Sequence, residues 1–321
     1  MVAVVQMERA GGPEVLRLVD VAMASPGPGE ARVRQTAVGV NFVDIYFRSG
    51  LYSPPHFPAV LGVEAAGVVE AVGEGVTDVG PGDRVVYGGL PIGGYAAIRT
   101  LPAARLLKLP EAISPRAAAA SLLRGLTAHM LLYRVFPLQP GQHVLIHAAA
   151  GGVGLILTQW AKRLGAITIG TVGSEEKAAL ARAHGLDHAI CYRQTDFVAA
   201  VRDLTGGLGV DFAVDGIGGE TLAKTVTALR PFGIVASIGQ AGGTIPPVDV
   251  HSLKCVSLAR PSVLAYVSDI KIYREAAASL FGVLADGLQV EIGAEFPLSE
   301  AAKAHMALEA GKTTGSVLLI P

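Results

Sequence analysis

Cysteine is nearly missing from this chain of 321 residues. Cys191 and Cys255 lie far apart and form no CxxC pair, which excludes a disulfide framework and a four-cysteine metal lobe and suits a reducing compartment. Both read as buried small hydrophobes. Charge is also scarce. Charged residues make up 17%, the formal net charge is −1, and no basic stripe appears, which argues against nucleic acid as the main ligand. Long apolar runs are missing too. Although 51% of residues are hydrophobic and the mean hydropathy is +0.47, no uninterrupted stretch reaches the ~18 residues a membrane span needs. A soluble chain with extensive burial is expected. The opening MVAVVQMERAGGPEVL has an acidic interruption where an export signal needs a basic start and an apolar core, so a cytoplasmic location is expected. The eight histidines are scattered, with no HExxH, and most read as surface or capping residues.

What the chain does hold is glycine, proline and a change of rhythm. Its length allows two domains with separate cores. The first ~120 residues are short strand-like runs between Gly and Pro, as in VGPGDRVVY, the pattern of a β-rich, barrel-like domain. From Ser114 an Ala/Leu-rich helix begins, and strands expected at 143–147, 166–172, 188–191, 210–215 and 233–238 then alternate with helices. That alternation implies right-handed crossovers and a doubly wound parallel sheet, giving an α/β chain. After about Pro261 the remainder, a helix, VEIGAEFPL, a short helix and SVLLIP, is too short for a domain of its own. The expected organisation is therefore 1–123 as the first part of a discontinuous β-rich domain, 124–262 as the parallel-sheet domain, and 263–321 as a return to the first. The apolar segment from Ile238 to Ser262 would suit a sheet edge paired with another subunit.

The most informative stretch is HVLIHAAAGGVGLILTQWAKRLG, a strand, a glycine turn and a helix. Ala149-Ala150-Gly151-Gly152-Val153-Gly154 places first-turn N–H groups and a positive helix end where a pyrophosphate would sit. Gly151 and Gly152 allow close approach, and Gly154 allows the helix to pack on the strand. The first fingerprint position is Ala149 rather than Gly, and a tight structural turn is the competing reading. The strand at 166–172 ends in Gly173-Ser174, without the acid that receives a ribose 2′-hydroxyl. Room is left there for a 2′-phosphate, with Lys177 one turn later to neutralise it, alongside Tyr192 or Arg193. Glu175 and Glu176 read as acids favoured by the dipole of the next helix. NADPH is preferred over NADH.

Gly141-Gln142, Leu145, Ala149-Ala150-Gly151-Gly152, Gly154, Gln159 and Lys162, with VGVNFVDIYFRSGLY and LRPFGIVASIGQAGG, resemble the zinc-free medium-chain dehydrogenase/reductases of the quinone oxidoreductase (zeta-crystallin-like) group. The resemblance runs nearly end to end. It implies a GroES-like catalytic domain, a Rossmann coenzyme domain, NADPH, and a homodimer or homotetramer. It also implies that Thr127 lies near the nicotinamide ribose and phosphate, that Gly173, Ser174, Lys177 and Tyr192 form the adenosine-phosphate pocket, and that Gly239 belongs to the nicotinamide strand. Where zinc-dependent relatives carry GHE, this chain has Gly62-Val63-Glu64, and valine cannot ligate a metal.

Without a Lewis acid the hydride acceptor must already be activated. A quinone is the leading substrate, and an α,β-unsaturated carbonyl such as an enone or enoyl thioester is the alternative. Asn41, Tyr46 and Tyr52 are the candidate hydrogen-bond donors to the developing oxyanion, with Phe42, Ile45 and Leu51 shielding a flat substrate. Each of the three also reads as a turn or packing residue. Asp44 and Arg48, four apart, read as a structural pair. Arg124 offers either a phosphate contact or a cap at the domain junction, and Ile217 and Ile238 stand where relatives carry other residues. A non-catalytic NADPH-binding protein, structural or RNA-binding, is the reading of a different class.

Overall fold

Short strands between Gly- and Pro-rich turns build the first unit, Met1–Leu126 together with Val267–Pro321. The computed structural model describes residues 1–23 and 25–321. Strands β1 (Val2–Met7) and β2 (Arg17–Val21) pair antiparallel. The long strand β3 (Glu30–Val40) alternates partly buried and buried residues at its start and is continuously buried over its last four, as a strand does when it passes from a half-covered face into a core. Helix α1 (Phe42–Ser49) follows directly and stops at Gly50, whose φ of 85° is the left-handed conformation that closes a helix. Then come β4 (Ala59–Val60), β5 (Glu64–Val72), β6 (Arg84–Gly88), β7 (Ile98–Pro102) and β8 (Leu107–Lys108). Helix α2 (Pro115–His129) opens with Pro115 in its first turn, while the Ser114 hydroxyl accepts the Ala117 N–H at 3.1 Å.

The second unit, Thr127–Tyr266, is a strand and helix alternation. After α2 the backbone widens into a π-helical turn over Met130–Val135. It continues through β9 (His143–Ile146), α3 (Gly152–Arg163), β10 (Ile167–Val172), α4 (Glu175–Ala183), β11 (His188–Cys191), α5 (Phe197–Leu204), β12 (Val210–Asp215), α6 (Thr221–Thr227), β13 (Leu229–Ser237) and β14 (Ser257–Ala259). All six strands run parallel in the order β11-β10-β9-β12-β13-β14. Numbered within the sheet this is 3-2-1-4-5-6, the Rossmann order, and its switch point lies between β9 and β12. The strands are Val-, Ile- and Ala-rich because both faces are covered. Leu145, Ile169, Val201, Phe212, Ala213 and Val235 are all essentially inaccessible.

Helices α7 (Val263–Tyr266), α8 (Ile270–Ala285) and α9 (Ala301–Glu309), with strands β15 (Ile292–Pro297) and β16 (Ser316–Ile320), complete the chain. The first unit reclaims both strands. Its larger sheet has the order β15-β16-β3-β5-β6-β8, with β7 also on β3, and β1, β2 and β4 form a separate three-stranded sheet.

Two sequence expectations are corrected here. The cysteines are not buried, since Cys191 is half-buried and Cys255 exposed; Cys191 ends the edge strand β11 and Cys255 lies just before the edge strand β14, where coverage of the parallel sheet ends. Half the histidines are interior. His129, His147, His184 and His305 are buried, and each has a polar partner there, respectively Tyr266, Thr171, the Leu180 carbonyl and Tyr95.

Candidate active site

In the second unit the turn after β9 is shaped around backbone rather than side chains. Ala148 takes a left-handed φ of 51°, a conformation that costs a non-glycine residue about 1–2 kcal/mol. A Cβ on Gly154 would stand 2.4 Å from the Ala148 carbonyl oxygen and 2.7 Å from Ala149 Cα, so only glycine lets α3 begin this close to the turn. Ala150 is buried, and Gly151, Gly152 and Val153 are half-buried. The N–H groups of Gly152, Val153 and Gly154 lie in the first turn of α3 and have no intrahelical acceptor. This cradle fits an anion. The departure at Ala149 has a compensation the fingerprint does not show: a Cβ on Gly170 of β10 would lie 2.5 Å from Ala149 Cβ. The methyl group missing from β10 makes space for the one added to the turn.

The tip of β10 carries the second group of expected residues. Gly173 and Ser174 precede α4, and the Ser174 hydroxyl caps the helix by accepting the Lys177 N–H. A Cβ on Gly173 would meet the Tyr192 hydroxyl at 3.3 Å and Arg193 Nε at 3.8 Å, so Gly173, Ser174, Lys177 and Tyr192 are brought together, with Arg193 beside them. Burial and then the Arg193 charge push the Lys177 ammonium below its ordinary pKa. Two cations held together in this way favour an anion. Of the two acids that follow, Glu175 turns away, pairing with Arg182 at 2.7 Å and accepting the Cys191 thiol, whereas Glu176 hydrogen-bonds Ser174 at the corner itself.

The loops after β12 and β13 touch. A Cβ on Gly218 would fall 2.8 Å from Gln240 Cα, and a Cβ on Gly242 would fall 2.8 Å from Ile217 Cγ2. Ile217 and Ile238 thus stand in the same crossing, next to buried Gly239. Thr127 is buried in α2, at 7% exposure.

In the first unit Asn41, Tyr46 and Tyr52 are gathered at the start and end of α1. Asn41 is its N-cap residue. The Tyr46 and Tyr52 rings meet edge to face at 5.5 Å, and the Tyr52 N–H donates to the Tyr46 carbonyl at 3.0 Å. Phe42 tilts against Tyr46 at 6.4 Å. Ile45 is buried in the core, whereas Leu51 is exposed.

Behind this aromatic group lies a buried polar network that the sequence did not reveal. Glu64 is inaccessible to solvent. It accepts the Leu123 N–H at 2.9 Å, Arg124 Nη1 at 3.0 Å and the Asn41 amide. Arg124 is therefore engaged by Glu64 and by the Val40 carbonyl at 2.7 Å, which replaces both roles offered for it by sequence. Asp44 and Arg48 do not pair with each other. Asp44 accepts the Asn41 N–H at 2.8 Å and the Tyr95 hydroxyl at 3.3 Å, while Arg48 grips Glu309 through two bonds of 2.8 and 2.6 Å. Long-range partners outcompete the i,i+4 neighbour because α1 is buried and exposed-face pairing does not apply.

Tyr95 also hydrogen-bonds His305 at 2.8 Å. Burial, reinforced by Arg48, pushes His305 down to about 3, and burial raises both Asp44 and Glu64 to about 7. The Arg124 guanidinium against Glu64 opposes that rise. Asp44 Oδ1 has no hydrogen-bond partner. The contacts of Tyr95, His305 and Glu309 do not follow from local spacing, because Tyr95 comes from the loop before β7 and His305 and Glu309 from α9. Gly170 did carry a signal, since an isolated glycine inside a strand marks close approach.

A parallel 3-2-1-4-5-6 sheet with an anion cradle at its switch point, joined in one chain to a β-rich unit bearing an Asn and two Tyr, defines a dinucleotide-dependent oxidoreductase of the medium-chain type. Residues 27–111 match the alcohol dehydrogenase GroES-like domain family and residues 152–277 the zinc-binding dehydrogenase family. The chain is 41% identical to quinone oxidoreductase 1 of Escherichia coli strain K12 over 99% of both chains, and 42% identical to a 2-haloacrylate reductase of a Burkholderia species over 100% of this chain and 99% of that one. The crystal structure of E. coli quinone oxidoreductase complexed with NADPH superposes with a TM-score of 0.96 at 41% identity, covering 99% of this chain and all of the other. The chain belongs to the quinone oxidoreductase family. The zinc in the name of one matching family has no counterpart in a ligand set here: position 63 is a buried valine, and among the described residues no three His, Cys, Asp or Glu side chains gather at metal-binding spacing.

Proposed function

We propose that this protein reduces quinones with NADPH, without a metal. The observation that carries the reading is the acid-free tip of β10, where Lys177 and Arg193 stand beside Gly173 and Ser174 in place of a carboxylate for a ribose hydroxyl. NADPH would be held by the cradle of Ala150, Gly151, Gly152, Val153 and Gly154, by the Gly173–Ser174 corner with Lys177 and Tyr192, and by Thr127 and Gly239, and it supplies a hydride. Asn41 and the hydroxyls of Tyr46 and Tyr52 orient the acceptor carbonyl and donate hydrogen bonds to the charge that develops on it. Phe42 and the two tyrosine rings present flat apolar faces and exclude water. Glu64 fixes Asn41 from behind, so the amide is set before substrate arrives.

Reduction of a conjugated carbonyl is the second reading, favoured by the 42% identity to the 2-haloacrylate reductase. Both acceptors delocalise the incoming charge and ask the same of the three donors. The proposed setting is the cytoplasm, with two free cysteines as support, and the assembly a homodimer or homotetramer. Strand β14 supports the latter, being a three-residue strand at the edge of the parallel sheet with Phe232, Val248 and Val250 exposed in this unit.

The test is oxidation of NADPH by purified, chelator-treated protein against parallel panels of quinones and of enones or enoyl thioesters. Turnover on quinones with chelator present is expected; tight NADPH binding with no turnover on either panel would leave a binding protein instead. Tyr52→Phe is expected to lower turnover at unchanged NADPH affinity, and full turnover in that variant would remove the hydroxyl from the mechanism.

A further inference from the structure

The C-terminal ends of three neighbouring strands in the parallel sheet are tied together by one buried chain of hydrogen bonds. Thr171 is the last residue but one of β10, His147 follows β9, and Asp215 ends β12. Thr225, in α6, bridges the last two. His147 Nδ1 lies 2.8 Å from Thr171 Oγ1, His147 Nε2 lies 2.9 Å from Thr225 Oγ1, and the Thr225 hydroxyl reaches Asp215 Oδ2 at 3.1 Å. All four residues are buried, Thr225 and Asp215 completely.

The chain has a direction. Thr225 has one hydroxyl proton, and its other neighbours, Asp215 Oδ2 and the Thr221 carbonyl at 2.8 Å, accept only. Toward His147 the Thr225 oxygen must therefore accept, which places the imidazole proton on Nε2 and leaves Nδ1 to accept from the Thr171 hydroxyl. Burial holds His147 below its ordinary pKa, in keeping with this neutral tautomer.

Each end of the chain is also wired to a loop. Asp215 Oδ1 accepts the N–H groups of Ile217 at 2.7 Å and Gly218 at 2.9 Å, setting the turn after β12. The Ala149 N–H donates to the Thr171 carbonyl at 3.1 Å, and the His147 N–H donates to the Val214 carbonyl at 3.1 Å. Thr171 stands two residues before Gly173, at the root of the 2′-phosphate corner.

We propose that His147 is a positioning residue for the dinucleotide: through Thr171 on one side and Thr225 with Asp215 on the other, it holds the turns after β10, β9 and β12 in the one mutual arrangement that fits a single cofactor. The inference rests on the NADPH reading above. It assigns no chemistry to His147.

The experiment is fluorescence titration of NADPH into the full chain and into Thr225→Val and Thr225→Ser. Valine keeps the volume and breaks the link between His147 and Asp215; serine restores the hydroxyl. The Val variant is expected to weaken NADPH about five- to tenfold, the size of one net hydrogen bond. It should keep kcat at saturating NADPH and show faster amide exchange in residues 148–151 and 216–219. The Ser variant is expected to bind within about twofold of the parent chain. Thr171→Val, at the other end, replaces the first variant should that one fail to fold. Unchanged affinity in the Val variant, or equal weakening in the Val and Ser variants, overturns the positioning role. If the parent chain itself does not bind NADPH, the cofactor reading falls, and the positioning role falls with it.

Discussion

Lys177 and Asp44 show how single side chains set what the two units can bind and tolerate. Lys177→Ala is expected to weaken NADPH by about 1–3 kcal/mol, as for a lost charge-assisted contact, while leaving NADH nearly untouched; parallel titrations of both cofactors check this, and equal losses would detach Lys177 from the 2′-phosphate. Asp44 makes a prediction about pH. Its carboxyl is raised by burial from 3.8 to about 7, so the native state binds more proton than the unfolded chain between those values. Its contribution to stability is complete below the lower value and is lost as pH rises through the upper one. Asp44→Asn should therefore flatten the fall in stability between about pH 5 and pH 7, by up to ~1.4 kcal/mol per pH unit, in denaturation curves recorded against the parent chain. His305 acts in the opposite sense. Held down to about 3 from 6.5, it costs stability as pH falls through that window, and Asp44→Asn leaves this limb in place.

At the scale of elements, the turn between β9 and α3 and the strand β10 beside it behave as one packed piece. Gly170→Ala would drive a methyl group to 2.5 Å from Ala149 Cβ and 2.8 Å from Leu186 Cδ2, and is expected to cost about 1–3 kcal/mol by overpacking. Adding Ala149→Gly should return part of that loss, a non-additivity that thermal melts of the two single variants and the double variant can measure. Elements of this kind were legible in the sequence because their signals are local. The apolar runs at 188–191 and 210–215 became β11 and β12 without adjustment. Beside them, the expected strand at 233–238 starts four residues earlier, at Leu229, because Pro231 and exposed Phe232 disguise its entry. Strand β14 has only three residues and takes its identity from pairing with β13, which no local pattern announces. The same reason hid the site's inner layer. Asn41, Tyr46 and Tyr52 are close in sequence, so their grouping was readable, whereas Glu64, Tyr95 and His305 converge on the same helix only after β5, α9 and the intervening loops have folded.

For the whole molecule, a saturating cofactor should register as stability. At about one hundred times its Kd, NADPH is expected to add roughly 2.7 kcal/mol to whatever unfolds with its site, visible as a rise in melting temperature that chelator treatment leaves unchanged. A rise abolished by chelator would mean that a metal takes part in holding the fold or the cofactor. The chain order carries a further consequence. The second unit is one unbroken stretch, Thr127–Tyr266, while the first needs both Met1–Leu126 and Val267–Pro321, and β3 pairs Val38 with Leu319 and Val40 with Val317. During synthesis the middle stretch can therefore close on itself while the edge of β3 that will receive β16 is still an open flank of unpaired amides. A ribosome stalled before Ser316 would present a finished nucleotide-binding unit tethered to a half-made partner, and that unclosed strand is where a chaperone, or a misfolded neighbour, would find its first hold.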